Sequence, residues 1–327
     1  MRQLKVFLSF ACLVVLISCS GRHPLTTGTD PNGSSAHPAV AEMATSTDVA
    51  ISKEAPRVRP VADTTVPTSG GKLIALTFDD GPRPYVLFGS KSVHPAPGLL
   101  DVLNKNGIKA TFFVVGWRLT PKTWGEPRHE EDIGVTCISA AEQLIRQGHE
   151  LEDHTYSHIE LRSAEKKNGE QWVMHDVDRG AEAIKAVTGT QPRYLRPPDW
   201  IITSEARRDL QKQGYRVLTI SSENPMALRD VNSLDYLCAG KAVGCPKPSL
   251  PEAVLKQIEQ REKKGTFTHI LAFHELSTTV AAMPQLITEL KARGYRFVTL
   301  TEYMKLVESK TGESLKQQAA ATRPNRL

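Results

Sequence analysis

The reactive side chains of this 327-residue chain fall in short clusters, several of them at the ends of apolar runs. Leu73-Ile74-Ala75-Leu76-Thr77-Phe78 reads as a buried strand and stops at Asp79-Asp80-Gly81-Pro82. Neighbouring side chains at a strand end point in different directions, so one carboxylate can ligate a metal while the other faces a substrate. His154-Thr155-Tyr156-Ser157-His158 sets two imidazoles four apart, and on one helical turn they would share a face and a metal ion. With ten His in the chain the pair carries little weight alone, but it follows a short strand ending near Leu151. Tyr194-Leu195-Arg196-Pro197-Pro198-Asp199-Trp200 offers a guanidinium fork, suited to orienting a carboxylate, on a loop stiffened by two prolines. Ile270-Leu271-Ala272-Phe273-His274 ends another apolar run in an imidazole, a side chain suited to giving a proton near neutral pH.

The elements that must carry these clusters recur as a unit: an amphipathic helical stretch, a Gly at its end, then a short apolar run. The helical stretches are Leu99 to Asn106, Ser139 to Gln147, Ser204 to Gln213 and Met283 to Arg293, each followed by Gly. The runs behind them are Ala110 to Val115, His149 to Leu151, Arg216 to Ile220 and Arg296 to Leu300, and Ser139 with Glu142 reads as a capping box. Adding Leu73 to Phe78, Tyr194 to Arg196 and His269 to Phe273 predicts an α/β fold with about seven parallel strands, closed or nearly closed into a barrel. Active sites of such barrels lie at the carboxyl ends of the strands, which is where every cluster above is placed. Gly116 to Ile138 and Asn224 to Leu250 break the rhythm and are expected as long loops beside that face.

Composition excludes several classes. At 40% hydrophobic and 24% charged, the chain is not disordered throughout, and a net charge of +5 without a Lys/Arg block leaves no ground for a nucleic-acid partner. Residues 1–18 read as a secretory leader, two cations and then an apolar run too short to span a bilayer. The run ends in Leu16-Ile17-Ser18-Cys19, which resembles a bacterial lipobox; lipidated Cys19 would anchor an exported protein in the cell envelope. Ser20 behind it suits an outer membrane facing the periplasm, if the cell has two membranes. Residues 19–71 are rich in Ser, Thr, Pro, Ala and Gly and read as a flexible tether, 72–308 as the catalytic domain, and 309–327 as a disordered tail. Export makes a local disulfide between Cys238 and Cys245 the expected pairing and leaves Cys137 as a half-buried thiol.

Thr77-Phe78-Asp79-Asp80-Gly81-Pro82, His154 to His158, Arg196-Pro197-Pro198 and Leu271-Ala272-Phe273-His274, in this order and spacing, resemble the polysaccharide deacetylase family, carbohydrate esterase family 4. The resemblance implies a distorted (β/α) barrel, a divalent metal, usually zinc, and hydrolysis of N-acetyl groups on a polysaccharide such as peptidoglycan or a chitin-like glycan. It further implies Asp80, His154 and His158 as metal ligands, Asp79 as general base oriented by Arg196, and His274 as general acid, with a backbone N–H near Asp199 for the oxyanion. Two departures stand out. Asp199 occupies the usual place of an aromatic residue, with Trp200 one position later. The fourth motif, normally Asp, two residues, Asp and Trp, reads as Ser222-Glu223-Asn224-Pro225-Met226-Ala227, with Glu223 for the first acid and neither the second acid nor the Trp. The alternatives are an O-acetyl esterase acting on xylan-like glycans and a metal-bearing glycan-binding protein without turnover.

Overall fold

The computed structural model describes residues 71–89, 96–120, 136–219, 230–238 and 245–309. All lie in the unit that runs from Thr65 to Leu327. The leader, Cys19, the tether up to residue 70, Glu223 and the tail from residue 310 lie outside the described residues.

Among the described residues eight strands form one sheet: β1 (Lys72–Gly81), β2 (Thr111–Val114), β3 (Glu150–Asp153), β4 (Tyr194–Leu195), β5 (Arg216–Val217), β6 (Asp230–Asn232), β7 (Thr268–His274) and β8 (Tyr295–Val298). They run in the order β5-β4-β3-β2-β1-β7-β6, with β8 also on β1, and every pairing is parallel. This is the expected distorted barrel with one strand more than the seven anticipated. The addition is β6, which has only three residues and sits in the stretch expected to be loop from Asn224 onward.

β1 is the axis of the sheet. One of its edges takes β7 from Leu73 to Asp79; the other takes β8 over Lys72–Ala75 and then β2 over Thr77–Gly81. Its ten residues alternate as a strand must. Ile74, Leu76 and Phe78 face the helices, where they meet Phe112, Phe273, Leu103, Leu144 and Leu286 in the larger core. Leu73 and Ala75 face the barrel interior with Phe113, Tyr194, Ile270 and Tyr303. Each fully buried Leu, Ile or Phe contributes about 1.5–3 kcal/mol. The same alternation sends Thr77 and Asp79 inward.

The helices are α1 (Pro84–Phe88), α2 (Leu99–Lys105), α3 (Cys137–Arg146), α4 (Leu161–Asn168), α5 (Glu170–Thr188), α6 (Ser204–Lys212), α7 (Leu250–Glu262) and α8 (Ser277–Ala292), followed by a helix over residues 300–309. The capping box of α3 stands one turn earlier than expected: Thr136 caps Ser139 N–H, and Ser139 Oγ takes the Thr136 N–H in return. Glu142 is thereby left on the exposed face, paired with Arg146. Cys137 begins α3 fully buried, and Cys238 is joined to Cys245 as expected. None of the described helices is long and apolar enough to cross a membrane.

Candidate active site

The strand ends converge. Asp79 is inward-facing and stands level with His274 in the β1–β7 register. A bulge interrupts the β1–β2 register between Asp79 and Gly81, and Asp80 takes a left-handed φ of 71° there. A bulge bends the strand and re-aims the next side chain. The two adjacent carboxylates therefore part: Asp79 stays on the inner face while Asp80 swings towards β3. A Cβ at Gly81 would stand 1.7 Å from Glu275 Oε1, so any larger residue there would have to displace that buried side chain. Glu275 is fully buried, accepts the Arg83 N–H at 2.6 Å, and is pushed up to about 8 by burial.

His154 follows β3 directly, but the His pair is not on a helix. Residues 154–160 form an irregular loop in which Thr155 and His158 have left-handed φ values of 66° and 57°. The four-residue spacing brings the imidazoles together all the same, because the chain turns back at Thr155; the ring centres are 4.9 Å apart. His154 Nδ1 lies 2.6 Å from the Arg196 carbonyl oxygen. A carbonyl only accepts, so Nδ1 carries the proton and Nε2 is left with its lone pair. That Nε2 is 3.4 Å from Asp80 Oδ1, and His158 Nε2 is 2.9 Å from the same oxygen. Burial would raise the Asp80 carboxyl, but the imidazoles of His154 and His158 beside it outweigh that and hold the group well below the usual carboxylate range.

Arg196, at the end of β4, is wholly buried. Its Nη1 donates to Asp79 Oδ1 at 2.6 Å and to Thr77 Oγ1 at 2.8 Å. Its guanidinium carbon lies 4.1 Å from the Phe113 ring centre and 4.5 Å from that of Trp200. Trp200 thus serves Arg196 as a stacking partner, which its place in the sequence did not indicate.

The fourth motif stands elsewhere than expected. Asn232-Ser233-Leu234-Asp235-Tyr236 has its spacing, with Asn in the first acid position and Tyr in that of the Trp. β6 delivers it beside β7. Asp235 is fully buried; its Oδ1 takes His274 Nδ1–H at 2.7 Å, and its Oδ2 takes the His274 N–H at 2.7 Å and the Thr279 hydroxyl at 2.5 Å. Burial would favour the neutral His274 ring, but the Asp235 hydrogen bond and the charges of Asp79, Asp235 and Asp80 overcome it and push the ring up to about 9. The exposed Tyr236 ring stands 5.6 Å from that of His274. The signal for this motif was the single apolar Val231 ahead of Asn-Ser-Leu-Asp-Tyr, too short a run to read as a strand.

These groups line one cleft of about 540 Å³, with Asp79, Asp80, His154, His158, Asp199, Trp200, Asn232, Tyr236 and His274 on its walls. A larger cavity of about 1030 Å³ opens at the amino ends of β3 and β4. Two of its acids are spent on the fold: Glu152 accepts the Arg193 and Tyr194 N–H groups, and Glu150 accepts from Thr111 and Thr301. The donor set in the smaller cleft suits a divalent cation. Asp80 Oδ1 and one nitrogen of each His lie within 4.8 Å of one another, and this is the one such trio of metal-ligating side chains among the described residues. Two neutral imidazoles and a carboxylate leave positions open for water and substrate.

A sequence profile of the family Polysaccharide deacetylase matches residues 67–218. The peptidoglycan-N-acetylglucosamine deacetylase of Bacillus cereus is 25% identical over 239 residues, covering 72% of this chain and 89% of that protein. A bifunctional xylanase/deacetylase of Pseudobutyrivibrio xylanivorans is 27% identical over 239 residues, covering 73% of this chain but only 31% of its own length. The fold is shared with the solved peptidoglycan deacetylase PdaC from Bacillus subtilis, at a TM-score of 0.52 and 21% identity over 76% of this chain and 97% of that one.

Proposed function

Because the chain belongs to the polysaccharide deacetylase family, we propose that it hydrolyses N-acetyl groups on a glycan containing N-acetylglucosamine, such as peptidoglycan or a chitin-like polymer. One observation carries the reading: the trio Asp80, His154 and His158, Asp79 with Arg196 paired behind it, and His274 with Asp235 paired behind it converge on a single cleft, which Asp79, Asp80, His154, His158 and His274 border. A divalent cation held by the trio, zinc by its two nitrogens and one carboxylate, would polarise the acetyl carbonyl and acidify the attacking water.

The chain's own groups divide the rest of the work. Asp79 takes the proton from the water, and Arg196 holds that carboxylate in place. Asp199 lies on the cleft wall, and a backbone N–H near it would donate to the oxyanion. His274 commits Nδ1 to Asp235, which leaves Nε2 to protonate the departing amine. An amine leaves poorly unless protonated, so this acid is required for an amide.

Acetate release from peptidoglycan and chitooligosaccharides, with zinc and after chelation, tests the proposal. Release that depends on the metal, and that His154→Ala abolishes together with zinc uptake, is expected. Faster release from O-acetylated xylan than from any N-acetylated glycan would select the esterase, and no release from any of them would select a binding protein. The presence of all of Asp79, Asp80, His154, His158 and His274 favours turnover.

We place the protein in the cell envelope through lipid on Cys19. Cys19→Ala is expected to move it from the membrane fraction to the soluble exported fraction. Retention in the membrane fraction would exclude Cys19 as the anchor.

A further inference from the structure

We propose that Asp176, on α5, is a positioning residue for the trio Asp80, His154 and His158: it sets the backbone of the 153–158 loop and thereby where the two imidazoles stand. The inference rests on reading that trio as a cation site.

The loop needs an outside template. Thr155 and His158 both hold left-handed backbone conformations, which are unfavourable for a non-glycine residue and persist only where the surroundings impose them. Within the loop, His158 N–H finds Thr155 Oγ1 at 3.1 Å, and Thr155 N–H finds Asp153 Oδ1 at 2.8 Å. On one side the chain after β2 supplies further bonds, from Gly116 N–H to Thr155 O at 2.9 Å and from Trp117 N–H to Tyr156 O at 3.1 Å.

The other side is α5. Tyr156 N–H donates to the Asp176 carbonyl at 3.1 Å, while Ser157 N–H and its hydroxyl both donate to Asp176 Oδ2, at 3.2 and 2.9 Å. Three bonds from one helical residue thus fall on the two positions between Thr155 and the second imidazole. Four residues further along the same helix face stands Gly180. A Cβ there would come within 2.6 Å of Asp153 Oδ1 and 3.0 Å of the Thr155 carbonyl carbon. The helix face is therefore shaped to the loop, with an acceptor at one position and no side chain at the next.

An Asp buried to 4% exposure in a helix interior is unfavourable by propensity and by desolvation. What offsets that cost is the Ser157 contact. Asp176 touches neither imidazole, so its effect on the centre passes through the backbone it holds.

Zinc affinity of the full chain, measured by competition with a chromogenic chelator, tests this without reference to turnover. Asp176→Ala is expected to bind zinc about tenfold to hundredfold more weakly, as loss of a group supporting metal ligands does. Asp176→Asn should stay near the wild type, since its amide oxygen can accept both bonds from Ser157. Ser157→Ala should weaken zinc several-fold and add little on top of Asp176→Ala, the two sharing one interaction. A folded Asp176→Ala with lowered Tm and unchanged zinc affinity would make Asp176 a purely structural residue and overturn the proposal. Should Asp176→Ala not fold, Ser157→Ala decides: unchanged zinc affinity overturns it equally. If the wild type takes up no zinc, cobalt or manganese, the cation site itself falls and this inference with it, an outcome distinct from a site that binds metal regardless of Asp176.

Discussion

Asp79→Asn is expected to lower kcat for acetate release by about a hundredfold to ten-thousandfold, the usual consequence of losing a general base, while zinc stays bound. The metal should remain because Asp79 makes none of the contacts in the trio; its Oδ1 is given to Arg196. The substitution also has a stability component that its near-isosteric shape conceals. Arg196 is fully buried and Asp79 nearly so, and removing one charge of such a pair costs about 3–5 kcal/mol. The amide keeps an acceptor for Arg196 Nη1, and Thr77 Oγ1 holds the same nitrogen. The expected loss therefore lies near about 3 kcal/mol, a fall in Tm of roughly 6–12 °C for a domain of this size. Activity must accordingly be read at a temperature where circular dichroism shows the variant folded. Full acetate release by the folded, zinc-loaded variant would remove Asp79 from the mechanism.

The second large effect belongs to His274. Its replacement by Ala should also cost about a hundredfold or more on the amide substrate, because the amine then departs unprotonated. Replacement of its partner is the more informative measurement. The acid must hold its proton to act, so its activity persists below its pKa and disappears as pH rises through it. With the ring pushed up to about 9, the basic limb of kcat/KM lies well above the ordinary His range. Asp235→Asn removes the carboxylate that accepts Nδ1–H and leaves burial, which favours the neutral ring, less opposed. The basic limb should move down by about one to three pH units, with zinc affinity unchanged. A limb that does not move would mean that another group donates the proton.

Much of this was legible in the sequence because it depends on local pattern. The apolar run into Asp79-Asp80, the Gly behind each helical stretch, and the runs ending in His154, Arg196 and His274 each signal a parallel strand whose carboxyl end carries chemistry. Longer structure escaped where its pattern was weak or its residues few. β6 has three residues, and its side-chain alternation cannot be seen in so short a run. The sequence reading sets the fourth motif at Ser222 to Ala227, with Glu223 for its first acid, while Asp235 and Tyr236 stand after β6 at the spacing the motif requires. The His pair suggested a helix because four residues make one helical turn, but a loop returning through Thr155 achieves the same approach.

What the sequence by itself determined is therefore the set of groups and the end of the barrel to which they belong. Residue type sets which atoms can ligate or carry a proton, and alternation along a strand sets which of them face inward. Only the tertiary structure decided which of them stand against one another. The bulge at Asp80 turns one of two adjacent carboxylates from Arg196 to the imidazoles, and β6 brings Asp235 up to His274. Helix α5 fits Asp176 and Gly180, each more than 15 residues along the chain from His158, against the loop that carries both rings. Such contacts join residues distant in sequence, and they exist only once the sheet has closed enough to bring those residues within hydrogen-bonding distance.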